Sequence, residues 1–158
     1  MTKRLIVTYS WSGNTAKMAT ALQQVTGADQ VMLTVAADTF STDMYATSDI
    51  ANQQLASGKL PALTNSLPDL RQYDTILVGG PVWSAKVATP VRRFLAQLGD
   101  FCGVVLPFYT DAGTPGSYEA DFEKLLPGSV TFKAGIGLSG SQLAKANTIL
   151  QTWWQKEN

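Results

Sequence analysis

The stretch YSWSGNTAK, near the start of the sequence, concentrates side chains that can bind an anion. Ser10, Ser12, Asn14 and Thr15 can each donate a hydrogen bond, and Gly13 lets the main chain approach a ligand closely. A β-branched run precedes them and a helical pattern follows, so they lie where the first backbone N–H groups of a helix lack internal partners. One such residue would be enough to cap the helix. The density of small polar residues therefore predicts a phosphate site that needs neither a metal nor an arginine.

Two other phosphate-binding patterns fit the sequence less well. The P-loop pattern G-x-x-x-x-G-K-[ST] is absent, which argues against a nucleoside triphosphatase. The dinucleotide pattern G-x-G-x-x-G occurs late, as GIGLSG at Gly135–Gly140, and only residues 141–158 follow it. These leave no further strand for the acidic residue that would bind a ribose. We therefore interpret GIGLSG as a flexible turn into the last helix.

Histidine is absent from the sequence, which excludes whole classes of catalytic site. Ser-His-Asp and Cys-His mechanisms are impossible, and so are zinc or iron sites that depend on imidazole. The single cysteine, Cys102, lies beside an apolar run, and we expect it to be a small buried residue. We predict no catalytic side chain and no metal site, so a bound cofactor would carry any redox chemistry.

The charge balance and hydropathy exclude several kinds of partner. Twelve Lys and Arg residues balance twelve Asp and Glu residues, so no basic excess indicates nucleic-acid binding. No apolar run approaches the ~18–20 residues of a membrane span, and the N-terminal one is too short for a signal-peptide core. A lone cysteine is typical of a reducing compartment. We expect a cytoplasmic protein with no membrane segment, and its oligomeric state stays open.

Apolar runs and helical patterns alternate along the whole sequence. We predict buried strands at 5–8, 31–35, 75–78 and 104–108, and a weaker fifth within SVTFKAGIGL. Helical stripes lie between them, the second in a long polar crossover near 46–56. Thr89, before Pro90, and Ser117 are the expected caps of the third and fourth helices. The alternation predicts one α/β domain over residues 1–158, with a parallel sheet and helices on both faces.

In such sheets ligands bind beyond the carboxyl ends of the strands, so the loops after Tyr9, Val78 and Phe108 are the candidate site. Trp83 follows GGP in the second of these loops, where a core tryptophan has little reason to lie. Its indole suits stacking on a planar ring, which adds roughly 0.5–1.5 kcal/mol beyond burial. Packing onto a neighbouring loop is the other interpretation of this residue.

These three loops resemble those of flavodoxins. YSWSGNTAK resembles the family's phosphate loop, in particular that of short flavodoxin-like proteins with a tryptophan inside it. LPDLRQYDTILVGGPVWSAKVATPVRRFL resembles the third strand, flavin loop and following helix, and PFYTDAGTPGSY resembles the second flavin loop. The blocks occur in the family's order and cover roughly a third of the chain. The resemblance implies bound flavin mononucleotide (FMN) and a flavodoxin-like fold, a doubly wound five-stranded parallel sheet in the order 2-1-3-4-5.

The resemblance also implies which residues contact FMN. The phosphate would be held by Ser10, Trp11, Ser12, Gly13, Asn14 and Thr15. One side of the isoalloxazine ring would be lined by Pro81, Val82, Trp83, Ser84 and Ala85. Its other edge, near the pyrimidine end, would be lined by Thr110, Asp111, Ala112 and Gly113.

Three tyrosines near these loops leave alternatives open. Strand alternation would turn Tyr109 into the core and leave Thr110 facing the ring. Tyr45 and Tyr118 can each shield the ring, although each fits an ordinary surface position equally well.

Two features depart from typical flavodoxins, which are strongly acidic and often have a glycine beside the ring. This chain is neutral, and Lys86 lies in the first flavin loop, where an ammonium beside the ring would favour an anionic reduced flavin. We expect Lys86 to point to solvent. Neither Gly nor Asn occurs between Trp83 and Ala88, so an unusual peptide conformation there would be costly.

Three functions compete at this stage. The first is a soluble electron carrier that shuttles electrons between redox partner proteins. The second is an NAD(P)H-dependent FMN reductase of quinones or another small-molecule electron acceptor. The third, a phospho-acceptor receiver domain, is disfavoured because the third strand ends in VGGP without an aspartate.

Overall fold

The computed structural model describes residues 3–157, which are built around a parallel β-sheet. Its long strands lie side by side in the order β2-β1-β3-β5. They are β1 (Arg4–Thr8), β2 (Asp29–Met32), β3 (Thr75–Trp83) and β5 (Val104–Asp111). Two short strands, β6 (Thr131–Phe132) and β7 (Ile136–Ser139), pair in parallel with different parts of β5. A further short strand, β4 (Lys86–Val87), returns antiparallel along the end of β3. The predicted fold class is confirmed, with the fifth position split between two strands and a hairpin added to the third.

Helices cover both faces of this sheet. They are α1 (Asn14–Thr26), α2 (Met44–Ser57), α3 (Thr89–Leu95), α4 (Tyr118–Lys124) and α5 (Ala146–Glu157). On one face, α1 and α5 bury Met18, Leu22 and Leu150. On the other face, α3 and α4 bury Phe94 and Phe122. Because both faces of the strands are covered, their sequences are continuous apolar runs rather than alternating ones.

The two central strands continue past their predicted ends and carry part of the candidate site. β3 and β5 remain paired through Gly80↔Tyr109 and Pro81↔Thr110. Pro81 and Thr110 therefore lie on paired strands rather than on free loops, as do Val82 and Trp83 at the end of β3. Main-chain pairing fixes the positions of these residues before any ligand binds.

The interpretation of GIGLSG as a flexible turn was wrong. Residues Ile136–Ser139 form β7, which pairs with β5 from Phe108↔Ile136 to Asp111↔Ser139. A Cβ atom on Gly135 would lie 1.8 Å from the carbonyl oxygen of Pro107, so glycine is needed there for close strand packing. The pattern arose from sheet packing and not from a nucleotide-binding turn.

Two local predictions were wrong, and a third was confirmed in part. Ala88 is the N-cap of α3, and the Thr89 hydroxyl donates instead to Gln54 Oε1 at 2.6 Å. Cys102 is exposed rather than buried. Ser117 is the N-cap residue of α4, as predicted, but its side chain makes no capping hydrogen bond. For Thr89 the partner lies on α2, 35 residues away in the sequence.

Candidate functional site

The predicted phosphate loop closes on itself around a glycine with positive φ. Gly13 is the N-cap residue of α1, with φ 98° and ψ −13°. A Cβ atom there would meet nothing within 4 Å, so the requirement for glycine is conformational and not steric. The Ser10 hydroxyl oxygen accepts from the backbone N–H groups of Gly13 and Ala16, each at 3.1 Å. Ser10 thus shapes the loop and caps the helix at once.

Two backbone donors at the start of α1 stay open. Within residues 3–157, the N–H groups of Asn14 and Thr15 have no hydrogen-bond acceptor. They belong to the first turn of a 13-residue helix, where the helix dipole favours negative charge. Ser12 and Asn14 are exposed beside them. This arrangement can bind a phosphate group.

The end of β5 meets the first turn of α1 beneath this anion site. The Thr15 and Thr110 hydroxyl oxygens are 2.7 Å apart and share one hydrogen bond. Both side chains are buried, with 1% and 7% of the residue surface exposed. The hydroxyl of Thr15 therefore serves the packing of the loop, whereas its backbone N–H remains available to a ligand.

The first flavin loop of the sequence analysis is a tight hairpin. β3 ends at Trp83, the chain turns at Ser84 and Ala85, and β4 returns from Lys86. Ser84 and Ala85 have φ values of 53° and 62°, as a two-residue type I′ turn requires. Such turns favour Asn and Gly, and a residue with a Cβ atom costs about 1–2 kcal/mol in this region. The hairpin thus contains the costly backbone conformation that the absence of Gly and Asn led us to expect, at Ser84 and Ala85.

An apolar cavity of about 210 Å³ lies beside this hairpin. It is lined by Trp11, Val82, Trp83 and Ser84 from the predicted set and by Met44, Tyr45, Thr47 and Ser48 from α2. Met44, Thr47 and Ser48 were not predicted as site residues, because α2 lies in a polar crossover with a weak helical pattern. Tyr45 is 80% exposed at the rim, so its position agrees with a role in shielding a bound ring.

Aromatic edge contacts fix the orientation of Trp83. Its ring centroid lies 5.9 Å from that of Tyr9 and 5.1 Å from that of Phe40, both in T-shaped arrangements. Trp11 is fixed from another side, because its indole N–H donates to the carbonyl oxygen of Ser41 at 3.0 Å. The two indoles are therefore held by the protein itself and preorganised.

The end of β5 is separate from this cavity. Asp111, Ala112 and Gly113 are not among the cavity's lining residues, and Asp111 Oδ1 accepts from the backbone N–H of Gly113 at 2.6 Å. Ala112 and Gly113 are exposed. Thr110 thus joins the end of β5 to the start of α1. Asp111 is the last residue of β5 and pairs with Ser139, and Ala112 and Gly113 begin an exposed turn.

The tyrosines near the site have separate structural roles. Tyr118 is fully buried between Tyr109 and Phe122, so both interpretations of it, as a shield of the ring and as a surface aromatic, were wrong. Tyr109 turns into the core, as strand alternation predicted, and its hydroxyl donates to Glu119 Oε2 at 2.7 Å. Burial raises the pKa of both phenols well above the usual range, and it raises the pKa of Tyr9 to about 12. Lys86 is exposed, as expected.

Comparison with known proteins places this site in a family. The sequence model of a family described as flavodoxin matches residues 3–157. The chain belongs to the flavodoxin family. A search of curated proteins gave no match for this flavodoxin.

Solved structures with the same fold include a flavoprotein from Lactobacillus acidophilus in complex with FMN. It is 34% identical, with a TM-score of 0.81, over 92% of this chain and 98% of that one. The apo form of the Lactobacillus flavoprotein is also 34% identical and gives a TM-score of 0.69, over 92% of this chain and 97% of that one. Oxidised flavodoxin 2 from Bacillus cereus, at 18% identity and a TM-score of 0.55, matches 98% of this chain and 99% of its own.

Residues 3–157 lack two further features, a membrane-spanning helix and a cluster of metal ligands. None of the helices there is both long and apolar enough to pass through a bilayer. The same residues contain no group of three or more His, Cys, Asp or Glu side chains placed to hold a metal ion. Within this part of the chain, the anion loop and the cavity beside Trp83 are the features that fit a cofactor.

Proposed function

We propose that this protein binds FMN and acts as a soluble electron carrier between redox partner proteins. The observation that carries the proposal is the pair of open N–H groups, of Asn14 and Thr15, at a helix start that Gly13 shapes. Family membership and the likeness to a flavoprotein in complex with FMN support the choice of ligand.

The residues present fit the chemistry of FMN. The phosphate would be held by the loop from Ser10 to Thr15, through main-chain N–H groups and the exposed side chains of Ser12 and Asn14. The ring would be bound by the hairpin from Pro81 to Ala85 and by the segment from Thr110 to Gly113. Trp83 offers an apolar aromatic surface whose orientation is already fixed. A loop with open main-chain N–H donors and no arginine suits a monoester phosphate.

When bound, the flavin accepts and donates the electrons. The side chains would bind it, orient it and exclude water, and electron transfer between proteins needs no general acid or base. Burial raises the pKa of Tyr9 to about 12, so the phenol that contacts Trp83 stays protonated well into the alkaline range.

A second candidate function is an NAD(P)H-dependent reductase of a small acceptor such as a quinone. The cavity beside Trp83 favours it, because an aromatic and thioether lining can take a planar ring. The neutral net charge also gives no electrostatic guidance toward a protein partner.

The experiment starts with the purified protein loaded with FMN and freed of excess ligand. Retained flavin absorbance is the expected result, and its loss from a folded protein would contradict the whole proposal. NADPH consumption with a quinone is then measured with and without a separate NADPH-dependent flavoprotein reductase. A carrier turns over only when the reductase is added, whereas turnover without it would establish the second function.

A further inference from the structure

A largely buried ion pair holds the outer edge of the site hairpin. Val87, in β4, has 1% of its surface exposed. Its backbone N–H donates to Asp121 Oδ2 at 3.0 Å, and its carbonyl oxygen accepts from Arg92 Nε at 2.9 Å. Arg92 Nη2 donates to the same Asp121 oxygen. The two charged side chains are 12% and 15% exposed, so both bind one peptide edge with little access to water.

The geometry of the hairpin explains why this edge needs partners. Trp83 and Lys86 flank the two-residue turn and form its hydrogen-bonded pair, so the next pair, Val82 and Val87, is a non-hydrogen-bonded one. The N–H and C=O groups of Val87 therefore point away from β3. Left unpaired in a buried position, they would carry a desolvation penalty. Asp121 from α4 and Arg92 from α3 take the place of a further strand.

The same hairpin carries strained backbone. Ser84 and Ala85 both have positive φ, and only two residue pairs hold β4 to β3. A strained conformation persists only where its surroundings impose it. Gly116 supports the turn from one side, since a Cβ atom there would lie 2.7 Å from the Cβ atom of Ala85. The ion pair supplies the other support, through Val87.

We propose that Arg92 and Asp121 are positioning residues of the cofactor site. They act through Val87 and keep the turn that carries Trp83, Ser84 and Ala85 in its ligand-binding conformation. The proposal rests on the proposed function, because those three residues belong to the predicted FMN site. It assigns a functional role to two side chains that lie outside the predicted FMN set.

The test compares Asp121→Ala and Asp121→Asn with a control variant, Tyr73→Phe. Tyr73 donates to Asp29 Oδ2 at 2.7 Å near the opposite end of the sheet, so its loss also removes a partly buried hydrogen bond to a carboxylate. Each apoprotein is titrated with FMN by flavin fluorescence. Thermal unfolding is measured in parallel, and hydrogen exchange is measured for the amides of residues 84–87.

We expect Asp121→Ala to raise the FMN dissociation constant at least tenfold and to speed exchange at residues 84–87. Asp121→Asn should lie between it and the wild type, because its amide oxygen can still accept from the Val87 N–H. Tyr73→Phe should lower the melting temperature and leave the dissociation constant within about twofold of wild type. Removing the negative charge of Asp121 would by itself strengthen the binding of FMN, because its phosphate is anionic. Weaker binding by the two Asp121 variants would therefore not be an effect of charge.

Other outcomes overturn the proposal. If Asp121→Asn and Asp121→Ala bind FMN as tightly as the wild type, or if Tyr73→Phe weakens binding equally, the ion pair has only a structural role. If the wild type binds no FMN, the proposed function fails. In that case unchanged exchange at residues 84–87 in Asp121→Ala would separately refute the support of the hairpin.

Discussion

Replacing Gly13 with Ala tests the anion loop most directly. The φ value of 98° lies beyond the left-handed region that residues with a Cβ atom tolerate, and the new methyl group would meet nothing within 4 Å. The backbone strain alone should therefore cost about 1–2 kcal/mol. Alanine also lowers the conformational entropy of the unfolded chain, which raises the free energy of unfolding by about 0.4–1 kcal/mol. The expected net loss in the free energy of unfolding is about 1 kcal/mol.

Gly128→Ala is the matched control for this substitution. A Cβ atom on Gly128 also meets nothing within 4 Å, and its φ lies outside the positive range. It should keep the entropic gain without the strain, so the difference between the two variants isolates the strain term. For a domain of this size, 1–2 kcal/mol corresponds to a gap of about 2–8 °C in melting temperature. Thermal unfolding of the two apoproteins, followed by circular dichroism, measures it.

Gly13→Ala should also weaken FMN binding. If the loop escapes strain by rotating Gly13, the N–H groups of Asn14 and Thr15 turn away from the ligand. A hydrogen bond to a charged group contributes about 1.5–3 kcal/mol, so losing one raises the dissociation constant by about 10–100-fold. Fluorescence titration with FMN provides the value. Equal melting temperatures for the two alanine variants, together with unchanged FMN affinity, would refute the role assigned to Gly13.

Three further outcomes test the surrounding structure. Thr15→Val and Thr110→Val should each destabilise the protein, because each removes the hydrogen bond that the two hydroxyls share. A double-mutant cycle measured by urea unfolding should give a coupling free energy of about 0.5–1.5 kcal/mol for this bond. Additive effects of the two substitutions would contradict the shared bond. Gly79→Ala would place a Cβ atom 2.1 Å from the Phe108 ring, so we expect the free energy of unfolding to fall by about 1–3 kcal/mol or the protein not to fold. A melting temperature equal to that of the wild type would contradict this packing. The raised pKa of Tyr9, about 12, means that the folded state holds a proton that the unfolded state loses above pH 10. Its stabilising contribution is complete below pH 10 and falls by about 2 kcal/mol as the pH rises to 12, so Tyr9→Phe should flatten the alkaline decline seen in urea unfolding.

Local sequence determined the anion loop. A β-branched run, a tract of small polar residues and a helical stripe lie next to one another, so a few neighbouring residues decide the strand, the loop and the helix start. The requirement for Gly13 is equally local, since it comes from the residue's own backbone conformation. The buried strands were predictable for a related reason, because a strand covered on both faces must be apolar throughout.

The hairpin at Ser84 and Ala85 was not predictable in this way. Neither residue type favours positive φ, and local preference alone would avoid the turn. Its supports come from α3 and from α4, where Asp121 lies 34 residues beyond the Val87 amide that it binds. Contacts over such separations form only when the helices dock on the sheet.

The same reason explains the other differences between prediction and structure. The burial of Tyr118 follows from the docking of α4, and the strand at Ile136–Ser139 follows from pairing with β5. The hydroxyl of Thr89 does not cap α3 but donates a hydrogen bond to Gln54 on α2. Sequence alone thus predicted the polar loop at the start of α1 and the positions of the buried strands. Tertiary packing decided which side chains surround the site, because long-range contacts outweigh local preferences of about 1 kcal/mol.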